Sequence, residues 1–217
     1  MDNAIKMIKP MILRRNSLSK VMGAFLFPLF CVAGSLLFTS CEETAAVDEY
    51  ANWQERNTEF IDSIAKVADA NADGKWLKIR SFKLNETDME GNIVEWDVDD
   101  YIYCHIEAEG TGTRHPLFTD SVSVNYRGRL IPTLSHPDGY VFDQSYKGAL
   151  NPAINVPATF GVGNVIVGWS TALQVMVPGD IWRVYIPAAL AYGAKKQTEI
   201  PAYSALIFDM NLVQIID

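Results

Sequence analysis

The sequence predicts an α+β fold: an antiparallel sheet wrapped around one short helix, preceded by an amphipathic helix and a strand hairpin. Two patterns carry this expectation. Several segments of the C-terminal half alternate apolar and polar residues with period two, as half-buried strands do. Within that half, one short stretch alone has the i, i+3, i+4, i+7 spacing of a helix.

Taken in chain order, residues 1–40 hold five basic groups (Lys6, Lys9, Arg14, Arg15, Lys20) and one acid, Asp2. They are followed by Val21–Phe38, which is free of charge, the layout of an export signal or a membrane anchor. Gly23, Pro28 and Gly34 weaken it as a permanent span. Phe38-Thr39-Ser40-Cys41, with Glu42-Glu43 behind it, resembles a bacterial lipoprotein lipobox, although Phe38 stands where Leu is usual. The resemblance implies cleavage before Cys41, acylation of that cysteine and a lipid anchor whose buried methylenes contribute about 0.8 kcal/mol each. The alternative is an uncleaved signal anchor. On either reading the remainder is exported, on the periplasmic side of an outer membrane or at the cell surface.

From Tyr50 to Ala68, Tyr50, Trp53, Phe60, Ile64, Val67 and Ala68 recur at helical spacing between charged residues. This helix packs its apolar face on the downstream domain or pairs it with a second copy to make a homodimer. Asp69–Gly74 matches the first six positions of a calcium-binding EF-hand loop, but Arg80 occupies the twelfth, where a bidentate Glu closes the site. A polar turn is the better reading. Trp76–Leu84 and Ile93–Ile106 read as strands around a turn at Asn85–Asn92, with the acidic run Glu95–Asp100 as a solvated strand face and loop. In the second strand Cys104 shares a buried face with Ile102 and Ile106.

Ser121–Tyr126 alternates, placing Val122, Val124 and Tyr126 on one face. A loop over Ile131–Gly139 leads to Tyr140–Asp143. Gly168 then opens the short helix, with Trp169, Ala172, Leu173 and Met176 on one stripe and Pro178-Gly179 as its stop. Ile181–Ile186 alternates again, and Leu206, Phe208, Met210 and Leu212 line one side of a last strand. The domain plan is therefore a signal at 1–40, an extension at 41–99 and a main domain at 100–217.

Composition removes several kinds of function. The chain of 217 residues carries a formal charge of −8, and the part after residue 40 has 13 basic against 25 acidic groups, which disfavours nucleic acid as a partner. Three cysteines, Cys31, Cys41 and Cys104, cannot build a disulfide framework or a four-cysteine zinc site. Gly168-Trp169-Ser170-Thr171-Ala172 nearly spells a nucleophile elbow, but that fold needs a histidine after its serine, and His105, His115 and His136 all precede Ser170. Ser170 reads instead as a cap at the helix start. No nucleophile with its base emerges. Aromatics stand out in its place: Tyr126, Phe142, Phe160, Trp169, Tyr192 and Phe208 come from separate segments beside turns, either to fill a core or to wall a cleft.

Val124–Leu130, Gly139–Ser145, Val165–Trp169, Ile186–Gly193, and Ile200-Pro201 before Leu206–Asp209 resemble, in order, the successive blocks of FKBP-type peptidyl-prolyl isomerases. The resemblance covers about residues 100–217 and implies a proline pocket between helix and sheet, needing no cofactor or metal. It implies Trp169 as the floor, Tyr126, Phe142, Val165, Ile166, Tyr192 and Phe208 as walls, with Phe160 beside them. It implies Asp143 at the rim, Ile200 closing the top, and the Ile166 N–H and Tyr192 hydroxyl as donors to the peptide. The expected partners are proline-containing segments of exported proteins. Three departures stand out: Ala158 where many members carry a larger residue, a polar loop at Ala194–Glu199, and the insert Ile131–Pro137. The first two favour the alternative, a peptide-binding module or chaperone with little isomerase activity.

Overall fold

The structure, a computed structural model, describes residues 48–83, 90–92 and 94–216. The signal segment, Cys41, Leu84, Ile93 and residues 85–89 of the expected turn lie outside the described residues. The chain divides into Met1–Ala45 and Ala46–Asp217, and the fold that follows is that of the second unit.

Helix α1 spans Trp53–Ala70 and starts later than the apolar spacing suggests. The reason is local: the Asp48 carboxylate takes the Tyr50 N–H at 3.0 Å, so residues 48–51 form a turn that competes with a helical one. Asn52 (φ 51°) and Asn71 (φ 40°) bracket the helix in left-handed backbone, which Asn tolerates. Beyond it, Asn71 Oδ1 accepts the Trp76 N–H at 2.9 Å and Asp73 Oδ1 accepts the Lys75 N–H at 3.1 Å, so the oxygens of the EF-hand-like loop serve a helix-to-strand turn. Trp53, Asn57, Ile61, Ala65 and Ala68 are the buried stripe. It lies on the chain's own sheet, with Phe60 6.1 Å from the Tyr185 ring.

Among the described residues the sheet has seven strands: β1 (Trp76–Arg80), β2 (Tyr101–Ala108), β3 (Ser121–Arg129), β4 (Val141–Gln144), β5 (Ala158–Gly161), β6 (Ile181–Ile186) and β7 (Leu206–Ile216). Their order is β1-β2-β6-β7-β3-β4, every pair antiparallel, with β5 pairing the first half of β3 on the edge that β4 shares further along. The hairpin expected from Trp76–Leu84 and Ile93–Ile106 forms, with Trp76 opposite His105, but both strands are shorter than expected. The acidic run is not a strand face. Asp97 and Asp100 form a reciprocal capping box around a 3₁₀ turn at Val98–Asp100, the Asp97 N–H reaching Asp100 Oδ2 at 2.8 Å. Carboxylates that bind backbone N–H groups locally deny them to a ladder.

Helix α2 spans Val167–Leu173. Trp169, Ala172, Leu173 and Met176 of its stripe are all buried. Ser170 is not the cap predicted for it. Ile166 occupies the cap position, and the buried Ser170 hydroxyl donates to the Val162 carbonyl at 2.7 Å, tying α2 to the 3₁₀ turn at Val162–Asn164. A Cβ on Gly168 would lie 2.4 Å from Ile186 Cγ2, so only glycine lets α2 settle on β6. Successive strand residues point to opposite faces. Tyr185 meets Phe60 of α1 and Ile186 meets α2, so the two helices cover opposite faces of β6. Cys104 is fully buried in β2, and burial pushes its thiol pKa far up.

Candidate functional site

Between α2 and the β3–β4–β7 side of the sheet lies a hollow of about 470 Å³, within the ordinary range of small-ligand sites. Its walls come from residues far apart in sequence. Tyr126 projects from β3, Phe142 and Asp143 from β4, Phe160 from β5, Val165 and Ile166 from the approach to α2, Trp169 from its first turn, Tyr192 from the loop after β6, and Phe208 from β7.

The rings form one connected set. Trp169 touches three others at centroid distances of 5.3 Å (Tyr126), 5.2 Å (Phe160) and 5.2 Å (Phe208). Tyr126 meets Phe160 at 5.5 Å, and Phe142 meets Phe208 at 5.6 Å. Interplanar angles run from 73° to 85°, the edge-to-face geometry in which a positive ring edge meets a negative face. Space for the last pair comes from Gly128, where a Cβ would sit 2.6 Å from both the Phe142 and Phe208 rings.

Polar groups gather at the rim. The Tyr126 hydroxyl donates to Asp143 Oδ2 at 2.8 Å, and Tyr126's backbone is fixed by Ser145, whose hydroxyl accepts the Tyr126 N–H at 2.9 Å. Burial, and then the bond to Asp143, push the Tyr126 pKa well above the usual phenol value. Tyr192 is 38% exposed at the mouth, and its pKa is raised by burial and by the Asp143 charge. Both phenols are therefore neutral donors at any physiological pH. Ser170 is committed to Val162, and the histidines are engaged elsewhere: His105 with Asp73 and Glu107, His115 with the Met176 carbonyl, His136 with Glu49. The arrangement suits an apolar group inserted among rings, with hydrogen bonds available at one edge.

Nine of the ten residues named from sequence for this pocket line the hollow. Ile200 does not: it is buried and lines a neighbouring depression with Tyr140 and Glu199, because the loop carrying it folds back on a 2.8 Å bond from the Gln197 N–H to the Ile200 carbonyl. One lining residue, Asn164, was not among the ten; it ends the 3₁₀ turn before α2, and its residue type gives no signal of that place. Cys41 lies outside the described residues.

Residues 112–213 match the family described as FKBP-type peptidyl-prolyl cis-trans isomerase. That segment is similar to an FKBP-type domain. The chain is 45% identical over 101 residues to the peptidyl-prolyl cis-trans isomerase Mip of Coxiella burnetii, covering 46% of this chain and 39% of that one. It is 41% identical over 107 residues to the outer membrane protein MIP of Legionella longbeachae, covering 49% and 40%. The chain thus spans about two fifths of the length of these two relatives. The crystal structure of a peptidyl-prolyl cis-trans isomerase from Pseudomonas syringae superposes with a TM-score of 0.51 at 27% identity, covering 76% of this chain and 96% of that one. The hollow lies within the FKBP match, whereas α1 and β1 precede it.

Proposed function

We propose that the protein is a peptidyl-prolyl cis-trans isomerase that assists folding of exported proteins while held to a membrane by lipid on Cys41. The observation that carries this reading is the ring-lined hollow with the Tyr126–Asp143 pair at its rim. Rotation about a prolyl amide breaks no bond and transfers no proton, so a site without nucleophile and base suits it. The barrier of about 18–20 kcal/mol arises from amide resonance, which places negative charge on oxygen and draws the nitrogen lone pair into the C–N bond. Water on that oxygen favours the planar, charge-separated form. Rings that exclude water and fit the twisted amide better than either planar isomer accelerate rotation about tenfold for each 1.4 kcal/mol of differential binding.

In this reading Trp169 forms the floor under the proline ring, and Phe142, Phe160, Val165 and Phe208 enclose it. Asp143, aimed by the Tyr126 hydroxyl, faces the substrate carbonyl carbon side of the amide, while the Tyr192 hydroxyl and the Ile166 N–H orient the peptide. The helix supports the last role, because the N–H groups that open a helix have no acceptor within it. Residues 1–40 act as the signal, 41–99 as the extension and 100–217 as the isomerase domain. Pairing of β1 with β2 argues that the extension is part of one sheet with it.

The buried stripe of α1 against the sheet favours packing over homodimerisation through that face. Among the described residues no helix is long and apolar enough to cross a membrane, and the outer-membrane name of the Legionella relative favours anchoring outside the cytoplasm. A second reading, a peptide binder with little activity, draws on Ile154 and Val156, 75% and 79% exposed in the loop between β4 and β5. An isomerisation assay on short X-Pro peptides separates the two. Acceleration that disappears in a folded Trp169→Ala variant supports catalysis, and a folded wild type inactive on every X-Pro peptide leaves the binder. Loss of membrane association in Cys41→Ser tests the anchor.

A further inference from the structure

We propose that α1, which lies outside the FKBP match, is a positioning element of the site, acting through Trp53 and Asn57 on the loop that carries Tyr192. This rests on the reading of the hollow as a prolyl-peptide site. The loop leaves the hollow at Tyr192 and returns to it through β7 and Phe208, with its neck closed by the Tyr203 N–H on the Gly193 carbonyl at 2.8 Å. Its return limb, Pro201–Ala205, is fastened to the first turns of α1. The Trp53 Nε1–H donates to Ser204 Oγ at 2.8 Å, and that hydroxyl donates onward to the Pro201 carbonyl at 2.7 Å. Asn57 Oδ1 accepts the Ala205 N–H at 2.8 Å while its Nδ2 donates to the Trp53 carbonyl at 2.6 Å.

The residues that make the fastening to α1 are buried: Trp53 is 7% exposed, Asn57 2%, Ser204 4% and Ala205 1%. Asn57 interrupts an otherwise apolar helix stripe, and a buried amide is tolerated only where its donors and acceptors are used. Here they are used across 148 residues of sequence, on the limb behind the wall of the hollow. The limb also needs such support. It passes through Tyr203 in left-handed backbone (φ 59°), a conformation that disfavours a bulky side chain. With α1 in place, the Tyr192 wall is preset before substrate arrives. With the bonds cut, the wall is ordered only on binding, so KM rises while the ring floor and kcat stay nearly intact.

The test compares Ser204→Ala, Asn57→Ala and the milder Trp53→Phe, with Ala65→Gly as a control that weakens the same helix without touching the loop. Each is assayed on an X-Pro peptide well below its melting temperature, with amide exchange followed over residues 194–203. Ser204→Ala and Asn57→Ala are expected to raise KM roughly three- to tenfold with kcat within about twofold, and to speed exchange in the loop. Trp53→Phe shifts KM less, and Ala65→Gly lowers Tm without moving KM. Unchanged KM in all three loop variants, or an equal rise in Ala65→Gly, overturns the proposal. If the wild type proves inactive, the isomerase reading fails by itself. The same variants are then compared by their Kd for the peptide: weaker binding supports the preset wall, and unchanged binding overturns it.

Discussion

Replacing Tyr126 by Phe removes one bond and keeps everything else about the ring. The contacts to Trp169 and Phe160 at 5.3 and 5.5 Å remain, so the hollow keeps its shape. What is lost is the 2.8 Å bond that aims the Asp143 carboxylate. Hydrogen bonds to charged acceptors contribute about 1.5–3 kcal/mol net, and a half-buried rim that retains some water puts this one near the low end. If the bond serves to hold Asp143 for the twisted amide, kcat/KM falls about tenfold, the equivalent of 1.4 kcal/mol. Asp143→Asn should lose activity as well, and the double variant should lose less than the sum. A coupling of about 1 kcal/mol in this cycle, measured by peptide isomerisation, is the expected result. Strict additivity, or a Tyr126→Phe enzyme as fast as the wild type, refutes the idea that the phenol positions the carboxylate.

Gly168→Ala drives a methyl to 2.4 Å from Ile186 Cγ2, and overpacking of this kind costs about 1–3 kcal/mol; urea titration should show the loss, and the displaced Trp169 should lower activity with it. His105, 2.8 Å from Asp73, has its pKa raised above 6.5, chiefly by that bond, so its contribution to stability is fully present below pH 6.5 and fades as pH rises through its folded-state value. The Asp73 pKa is lowered by the same bond, so its share is present above 3.8 and is lost on further acidification, and Asp73→Asn should flatten both limbs of a stability-against-pH curve. Cys104, fully buried with its thiol pushed toward the neutral form, should react with iodoacetamide only as fast as the native state opens; rapid labelling under native conditions would contradict its placement.

Much of the domain was legible because apolar residues alternate along its strands, even where both faces of a strand are buried. Val122, Val124 and Tyr126 in β3, and Leu206, Phe208, Met210 and Leu212 in β7, announce a buried face through alternation alone. The stripe Trp169–Met176 announces α2 in the same way. Failures came where side chains compete locally for backbone hydrogen bonds. Asp48 delays the start of α1, Asp97 and Asp100 replace a strand by a turn, and Ser170 serves a turn behind it rather than its own helix end.

The site residues were named from a resemblance, not from periodicity, and the one that lies elsewhere, Ile200, sits in a loop whose path depends on a bond within the loop itself. The docking of Glu49 was not legible at all. Its carboxylate takes the Thr133 hydroxyl at 2.7 Å and the Ser135 N–H at 3.0 Å, and these bonds, with the Ser135 hydroxyl first among them, lower its pKa to about 2. That contact spans 84 residues and joins two polar segments with no pattern of their own.

The place of β7 sets when this protein can begin to work. It is the last strand in sequence but lies between β6 and β3 in space, pairing along both edges. Until it has been synthesised, β1, β2 and β6 on one side have nothing to join them to β3, β4 and β5 on the other. The nascent chain thus lacks both its central seam and the Phe208 ring. Assembly of the sheet therefore waits for β7, and the cost of closing loops between strands so far apart in sequence slows it.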